Sequence, residues 1–406
     1  MVLKVSSEIG PLRQVIVHRP GIEIARITPE NKDALLFDDL LWLERAQEEH
    51  DAFTGILRDA GAEVLLFESL LAEVLEIPEA RKEVVARAIS PATCGRHVAE
   101  ALTERLLAAP AGDVVDVLLG GLLERELIDW GIEPVFADLV ADRFHYVLRP
   151  LPNLLFMRDN AAWINDGLVF NVLATPARSR ESDYMWAIYH FHPRFADVTF
   201  PVWFGKEPTD RYPATIEGGD VLVLDERTVV LGLSERTAPA AVETLAERLF
   251  AGSTVEHVIV VHLHHARAMM HLDTAFTMVD RDAFNVFPGL LSDLDVHVLR
   301  PASSGGIDVT PASGLEAAVG EALGLNRVRM IPTGGDAIGR LREQWDDGNN
   351  TLAVAPGVVV AYQRNQETNR RLRDAGIEVL ELDSSELCRG RGGSRCMTQP
   401  LMRDPI

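Results

Sequence analysis

The sequence predicts an α/β fold built from repeated strand–strand–helix–strand units, interrupted once by a helical segment. Three observations predict it. Hairpin signals recur at roughly 55–80-residue intervals, one nonapeptide joining a helix to a strand occurs twice, and residues 70–147 drop the strand signals for helical spacing.

The nonapeptide comes first in the chain. Leu57-Arg58-Asp59-Ala60-Gly61-Ala62-Glu63-Val64-Leu65 recurs as Leu372 to Leu380 with one substitution, Ala62 against Ile377. The first copy closes an amphipathic run with Leu43, Ala46, Phe53 and Leu57 on one face. Its glycine suits a left-handed helix cap, and Val-Leu then begins an extended segment. The hairpins follow. Leu154–Met157 and Leu168–Val172 flank Asn165-Asp166-Gly167, a strong short-turn signal. Val221–Leu224 and Val229–Leu233 flank Asp225-Glu226-Arg227. Thr274–Val279 and Ala283–Phe287 flank Asp280-Arg281-Asp282, and Thr351–Val354 and Val358–Tyr362 flank Pro356-Gly357. Helix-like stretches such as 240–250 and 367–375 come after, then another strand. Units of this kind stack around an axis more readily than they form a doubly wound sheet. Residues 70–147 are rich in Leu, Ala, Glu and Arg, with Ser90-Pro91 and Ala109-Pro110 as helix punctuation. They are expected to be an inserted helical domain, with 1–69 and 148–406 forming the main domain.

Composition narrows the partners. Thirty-nine basic against 61 acidic residues give a formal charge of −22, which argues against a nucleic-acid partner and suits a small cationic substrate. Acidity also simply aids solubility. Cys94, Cys388 and Cys396 form no CxxC pair, so a disulfide framework is not expected and a reducing cytoplasm fits. No apolar run approaches the roughly 18–20 residues of a membrane helix, and a soluble, unexported protein is expected.

Several residues carry chemistry. Cys396 ends a stretch rich in glycine and arginine, Arg389-Gly390-Arg391-Gly392-Gly393-Ser394-Arg395, an electropositive and mobile approach that favours a thiolate; a small buried cysteine is the plainer reading. His271-Leu272-Asp273-Thr274, if it opens a strand, projects His271 and Asp273 to one face about 7 Å apart. Glu217-Gly218-Gly219-Asp220 begins another strand, its glycines permitting close approach of backbone or ligand. Phe156-Met157-Arg158-Asp159 puts charge at the end of an apolar strand. His262, His264 and His265 offer a rival metal site, although no HExxH accompanies them.

Taken together, these stretches resemble the arginine deiminase family of guanidino-group-modifying enzymes. The resemblance rests on Ser7-Glu8-Ile9-Gly10-Pro11-Leu12, Val17-His18-Arg19-Pro20-Gly21, the three central motifs above, Arg342-Glu343-Gln344-Trp345 with Asp346 to Thr351, and Arg395-Cys396-Met397. It spans nearly the whole chain in order. It implies a five-bladed α/β propeller of ββαβ repeats, with the site at its axis and 70–147 inserted into the catalytic domain. It implies hydrolysis of L-arginine to citrulline and ammonia, with Cys396 as nucleophile and His271 as acid and base. Asp159 and Asp273 would grip the guanidinium, and Glu217 would contact it or position His271. Three carboxylates so close would oppose ionisation of Cys396, so the free protein is expected to hold mostly thiol until the substrate's cation arrives. Asn153, Phe156, Arg178 and Arg236 would line the pocket, the two arginines facing the α-carboxylate, and Arg391 would gate it. It implies no cofactor and no metal, a homodimer or higher homo-oligomer, and no nucleic-acid or membrane partner. Agmatine deiminase, a dimethylarginine hydrolase, a metal hydrolase and a non-catalytic arginine-binding protein are the alternatives.

Overall fold

The computed structural model describes residues 3–133, 146–291 and 294–406. It is a mixed α/β fold in which five sheets share one connectivity. Each holds an antiparallel strand pair, a hairpin in four of them, and, after a helix, a third strand parallel to the pair's second strand. The units are Ala161–Ile164, Gly167–Phe170 and Val202–Phe204; Val221–Asp225, Thr228–Leu233 and His257–His262; Phe276–Asp280, Ala283–Val286 and Arg329–Pro332; and Leu352–Ala355, Val358–Tyr362 and Glu378–Leu382. The fifth joins the chain ends: Leu12–Val17 lies between Gln399–Arg403, antiparallel, and Glu63–Leu66, parallel. Val296–Pro301 and Ile307–Pro311 extend the sheet that holds Thr228–Leu233. Strands buried on both faces, such as Val229-Val230-Leu231, read as continuous apolar runs.

The repeated nonapeptide behaves as its sequence predicts. The helices Leu43–Asp59 and Gln366–Asp374 end just before Gly61 at φ +91° and Gly376 at φ +87°, and strands begin at Glu63 and Glu378. The first hairpin is a correction. Asn165 adopts φ +54° in the turn as expected, but the strand before it is Ala161–Ile164, not Leu154–Met157. A tight turn at 165–166 requires the residues next to it to pair, Ile164 with Gly167 and Ala161 with Phe170. Residues 152–159 instead form two 3₁₀ turns that carry Asn153, Phe156 and Asp159 inward.

Between residues 67 and 129 the chain is helical, in Phe67–Leu75, Pro78–Ala88, Arg96–Ala108, Ala111–Gly120 and two shorter turns, with Ser90 capping one of these by accepting from the Ala92 N–H. Leu71, Val84, Leu102 and Leu118 bury against Tyr184 and Ile188 of the helix Glu181–Phe191. Of the helical segment expected over 70–147, residues 134–145 lie outside the described part. Among the described residues no helix is long and apolar enough to cross a membrane, and all three cysteines are free.

Candidate active site

Loops entering the five sheets converge on one buried cluster. Two of them, expected as strand starts, are 3₁₀ turns: Gly218–Asp220 and Leu272–Thr274. The reason is that side chains replace the strand ladder there. Asp220 Oδ1 accepts the Leu272 N–H at 2.8 Å, while its Oδ2 accepts from Ser234 at 2.6 Å and Thr237 at 2.7 Å. The Thr274 hydroxyl donates to the His271 carbonyl at 2.7 Å. Asp220 thereby ties the glutamate turn to the histidine turn. The close approach expected of the paired glycines is real: a Cβ on Gly219 would stand 2.5 Å from His271 Nδ1.

The turn at 272–274 sends His271 and Asp273 to different partners instead of to one strand face. His271 Nε2 lies 2.8 Å from Glu217 Oε2, and its Nδ1 3.8 Å from Asp159 Oδ1. Asp159 Oδ1 also accepts the Gly219 N–H at 3.0 Å. Asp273 Oδ2 stands 3.6 Å from Cys396 Sγ and accepts from Arg395 Nη1 at 2.7 Å, and its Oδ1 has no partner among the described residues. Cys396, 4 % exposed, is fixed through its backbone. Its N–H donates to Asn350 Oδ1 at 3.1 Å and its carbonyl accepts the Arg158 N–H at 3.0 Å. Asn350 Nδ2 in turn donates to the Asp273 carbonyl at 3.1 Å.

The electrostatics follow the thiol expected from the three carboxylates, not the thiolate that the local arginines alone suggest. Burial pushes the Cys396 thiol well above its ordinary range, Asp273, Asp159 and Asp347 add to that, and Arg395 only partly opposes it. The arginine-rich approach therefore does not favour a thiolate here, because its nearest cation is already spent. Arg395 donates to Glu8 at 2.9 and 3.1 Å and to Asp273, and Glu8 is held down to about 2 despite burial, by Arg395, Arg158 and Arg403. Gly392 serves close packing, since a Cβ there would lie 2.3 Å from the Phe156 ring. Burial works against the His271 imidazolium, yet Asp159, Glu217 and Asp220 outweigh it and raise its pKa to about 9. The thiol beside an imidazolium is the arrangement this balance favours.

Cys396, His271, Asp159, Asn153, Phe156, Arg178, Arg236 and Arg391 line one cavity of about 20 Å³, room for a single water. Glu217 and Asp273 back it through His271 and Cys396. Arg178 faces carboxylates: it donates to Asp159 Oδ2 at 2.6 Å, to Glu181 at 2.8 and 3.0 Å, and to the Asn153 carbonyl at 3.1 Å. Arg236 Nη1 is 3.9 Å from Glu217 Oε1. Arg391, at φ +65°, lies over the Trp345 ring at 3.6 Å, and its Nε and Nη2 have no hydrogen-bond partner among the described residues. Sequence reasoning gave no role to Arg395, Glu8, Glu181, Asp220 or Asn350. Four of these lie inside the quoted motifs, which was the available signal; Glu181 carried none.

Asp159, Glu217 and His271 are close enough to share a metal ion. Arg178 on Asp159, Arg236 beside Glu217 and a protonated His271 put cations where the metal would sit, so the set does not suit one. His262, His264 and His265 are exposed and join no such group among the described residues.

The chain matches the family model described as arginine deiminase over residues 33–403. It is 45% identical over 408 residues to an arginine deiminase of Rhodococcus opacus (strain B4), covering 100% of this chain and 98% of that protein, and 44% identical at the same coverage to one of Rhodococcus jostii (strain RHA1). Among solved structures it resembles SxtG, an amidinotransferase from Microseira wollei, with TM-score 0.55, 13% identity, and coverage of 100% of this chain and 98% of that one. The ternary complex of AgrE with ornithine and NAD+ gives TM-score 0.53 and 14% identity, covering 97% of this chain and 40% of that one. These likenesses show the fold.

Proposed function

Starting from the fact that the chain belongs to the arginine deiminase family, we propose that Cys396 performs the family's hydrolysis through a covalent intermediate, in the pocket where Asp159, Asp273, Glu217 and His271 meet. Arginine and water become citrulline and ammonia, with cleavage of a guanidino C–N bond. The carrying observation is the buried thiol beside the Asp273 carboxylate, whose other oxygen, Oδ1, has no partner among the described residues, next to a histidine held protonated.

A guanidinium presents five N–H donors in a rigid fork, which carboxylates match. Asp273 Oδ1 is open for one edge. Asp159 takes the other after releasing Arg178, which then meets the substrate's α-carboxylate together with Arg236. That exchange keeps each buried charge paired, because the substrate's carboxylate and guanidinium take the places that Arg178 and Asp159 held for each other. The arriving cation offsets the three aspartates around Cys396, and the thiol releases its proton to solvent, since His271 already carries one. The thiolate forms a C–S bond to the guanidinium carbon. His271 passes its proton to the departing nitrogen as the C–N bond breaks, releasing ammonia. Water then attacks the amidino carbon with neutral His271 taking one of its protons; the C–S bond breaks as the other leaves to solvent, and citrulline, the thiolate and the imidazolium remain. Glu217 orients His271 and stabilises its charge. Asn153 and Phe156 line the pocket, and Arg391, on its strained backbone, gates it. No metal or organic cofactor takes part.

We also read residues 1–69 and 148–406 as the catalytic domain, a five-bladed α/β propeller whose blades are the five sheets, with 70–147 inserted as a helical domain. The repeated connectivity and the convergence of their loops support this. A homodimer or higher homo-oligomer rests on the family resemblance, and a cytoplasmic location on the scattered, unpaired cysteines.

The test of the reaction is direct. The purified protein is expected to release citrulline and ammonia in equal amounts from L-arginine, unaffected by a chelator, and to leave agmatine untouched because it has no carboxylate for Arg178 and Arg236. Turnover of agmatine would discard those two roles; loss of activity with the chelator would discard the metal-free reaction. A second measurement addresses the thiol. Thiolate absorbance at neutral pH is expected to be absent in the free protein and to rise when a non-reactive guanidinium ligand is added. A thiolate already formed without ligand would contradict the substrate-assisted step.

A further inference from the structure

A second cavity, of about 690 Å³, opens on the opposite side of the helix Glu181–Phe191 from Glu181's contact with Arg178. That volume is typical of small-molecule sites. Its walls come from that helix, from the strand Gly167–Phe170 with the residues after it, and from the loop 205–212. The interior is aromatic, with Phe170, Trp186, Tyr189 and Phe200. At the mouth stand Lys206, Arg211 and Tyr212.

The mouth is unusual for this protein. On a chain of formal charge −22, Lys206 and Arg211 form no salt bridge among the described residues, nor does the exposed Glu207 beside Lys206, while the two acidic residues that line the cavity are engaged. Asp210 holds Arg248 through both oxygens at 2.7 and 2.9 Å, and Asp183 meets Arg87 at 3.1 Å. Next to Arg211, the Tyr212 ring is 73 % exposed. Two free cations beside an uncovered ring, above an aromatic interior, match a flat ring that carries an anion.

The cavity is wired to the reaction centre. Asn171, a lining residue, donates from Nδ2 to the Asp159 carbonyl at 2.7 Å. Ser182, also lining it, donates to the Asn171 and Asn160 carbonyls at 2.7 and 3.1 Å. Its neighbour Glu181 grips Arg178, which grips Asp159. A ligand pressed against this helix thus bears on the carboxylate that the substrate must claim.

We propose that this cavity is a second ligand site, specific for a small planar aromatic ring bearing one carboxylate or phosphate, and that its occupancy changes the affinity for arginine. The link to arginine rests on the function proposed above; the binding does not, so the two fail separately. Binding is measured by calorimetry on the full chain with 4-hydroxybenzoate and adenosine 5′-monophosphate, which separate an aromatic acid from a nucleotide as the source. Adenosine and inorganic phosphate supply ring alone and anion alone.

At least one ring-plus-anion probe is expected to bind, ten-fold or more tighter than either control, without competition from arginine. The double variant Lys206→Glu, Arg211→Glu, both surface residues, is expected to weaken that binding ten-fold or more with unchanged turnover when no probe is present. Saturating probe is expected to shift KM for arginine at least two-fold with a smaller change in kcat. Binding of adenosine as tight as that of the anionic probes, undiminished binding by the double variant, or no binding at all overturns the site. Binding with KM unmoved overturns the link.

Discussion

Replacing Cys396 with serine is expected to lower arginine turnover by on the order of 10⁴-fold or more, the scale on which loss of a covalent nucleophile acts. The side chain sits 3.6 Å from Asp273 and its backbone is fixed by Asn350 and Arg158, so the smaller hydroxyl fits without disturbing the cluster. Arginine binding is therefore expected to persist, measured by calorimetry on the variant. A hydroxyl among three aspartates has no means of ionising near neutral pH, which is why the loss falls on kcat. Rapid acid quench of the unmodified protein during turnover is expected to trap arginine less ammonia on Cys396, seen by peptide mass. A variant that keeps more than about one hundredth of the activity, or an adduct on another residue, would mean the nucleophile lies elsewhere.

Changing His271 to asparagine is expected to cost on the order of 10²–10⁴-fold in kcat and, more tellingly, to alter the pH profile. The reacting form pairs a thiolate with an imidazolium. It carries the same number of protons as the free protein with a thiol and a neutral imidazole. In the free protein the thiol lies higher than the imidazolium, whose pKa is about 9. Below that value both groups hold their protons, and one must leave before the reacting form is reached. kcat/KM is therefore expected to climb about ten-fold per pH unit toward about 9 and then level off. In the asparagine variant that break disappears and the rise continues until Cys396 itself ionises. A variant whose profile still breaks near 9 would assign the proton to another group. Steady-state rates across pH 6–10.5 decide it, with circular dichroism at each end to confirm the fold.

The chemistry of the site was legible in the sequence to an unusual depth, though its geometry was not. Cys396, His271, Asp159, Asp273 and Glu217 were expected together from motifs that resemble the arginine deiminase family, each weak alone, and the fold brings them to one buried cluster. The strand expected at Leu154–Met157 and the strand starts at His271 and Glu217 were wrong for one reason. Apolar and β-prone residues signal burial, but they do not say whether the backbone is paired. At each place a buried polar side chain or a tight hairpin register took the backbone elsewhere. The thiol expected from the three carboxylates agrees with the buried site, whereas the arginines ahead of Cys396 alone would mislead, because Arg395 is neutralised by Glu8, 387 positions away.

Sequence by itself determined the recurring strand–strand–helix–strand units, the helical character of residues 67–129, and the side-chain types that meet in the candidate site. These follow from short-range properties: periodicity, turn residues, caps and side-chain type. Only the tertiary structure decided which charges cancel, that Arg178 now occupies Asp159, that Asn350 and Asp220 hold the reacting loops, and that a second aromatic cavity backs onto the same helix. Those outcomes depend on distances between residues far apart in the chain and on the removal of water around them. Burial makes each charge's nearest partner decisive, and no local pattern encodes which partner that is.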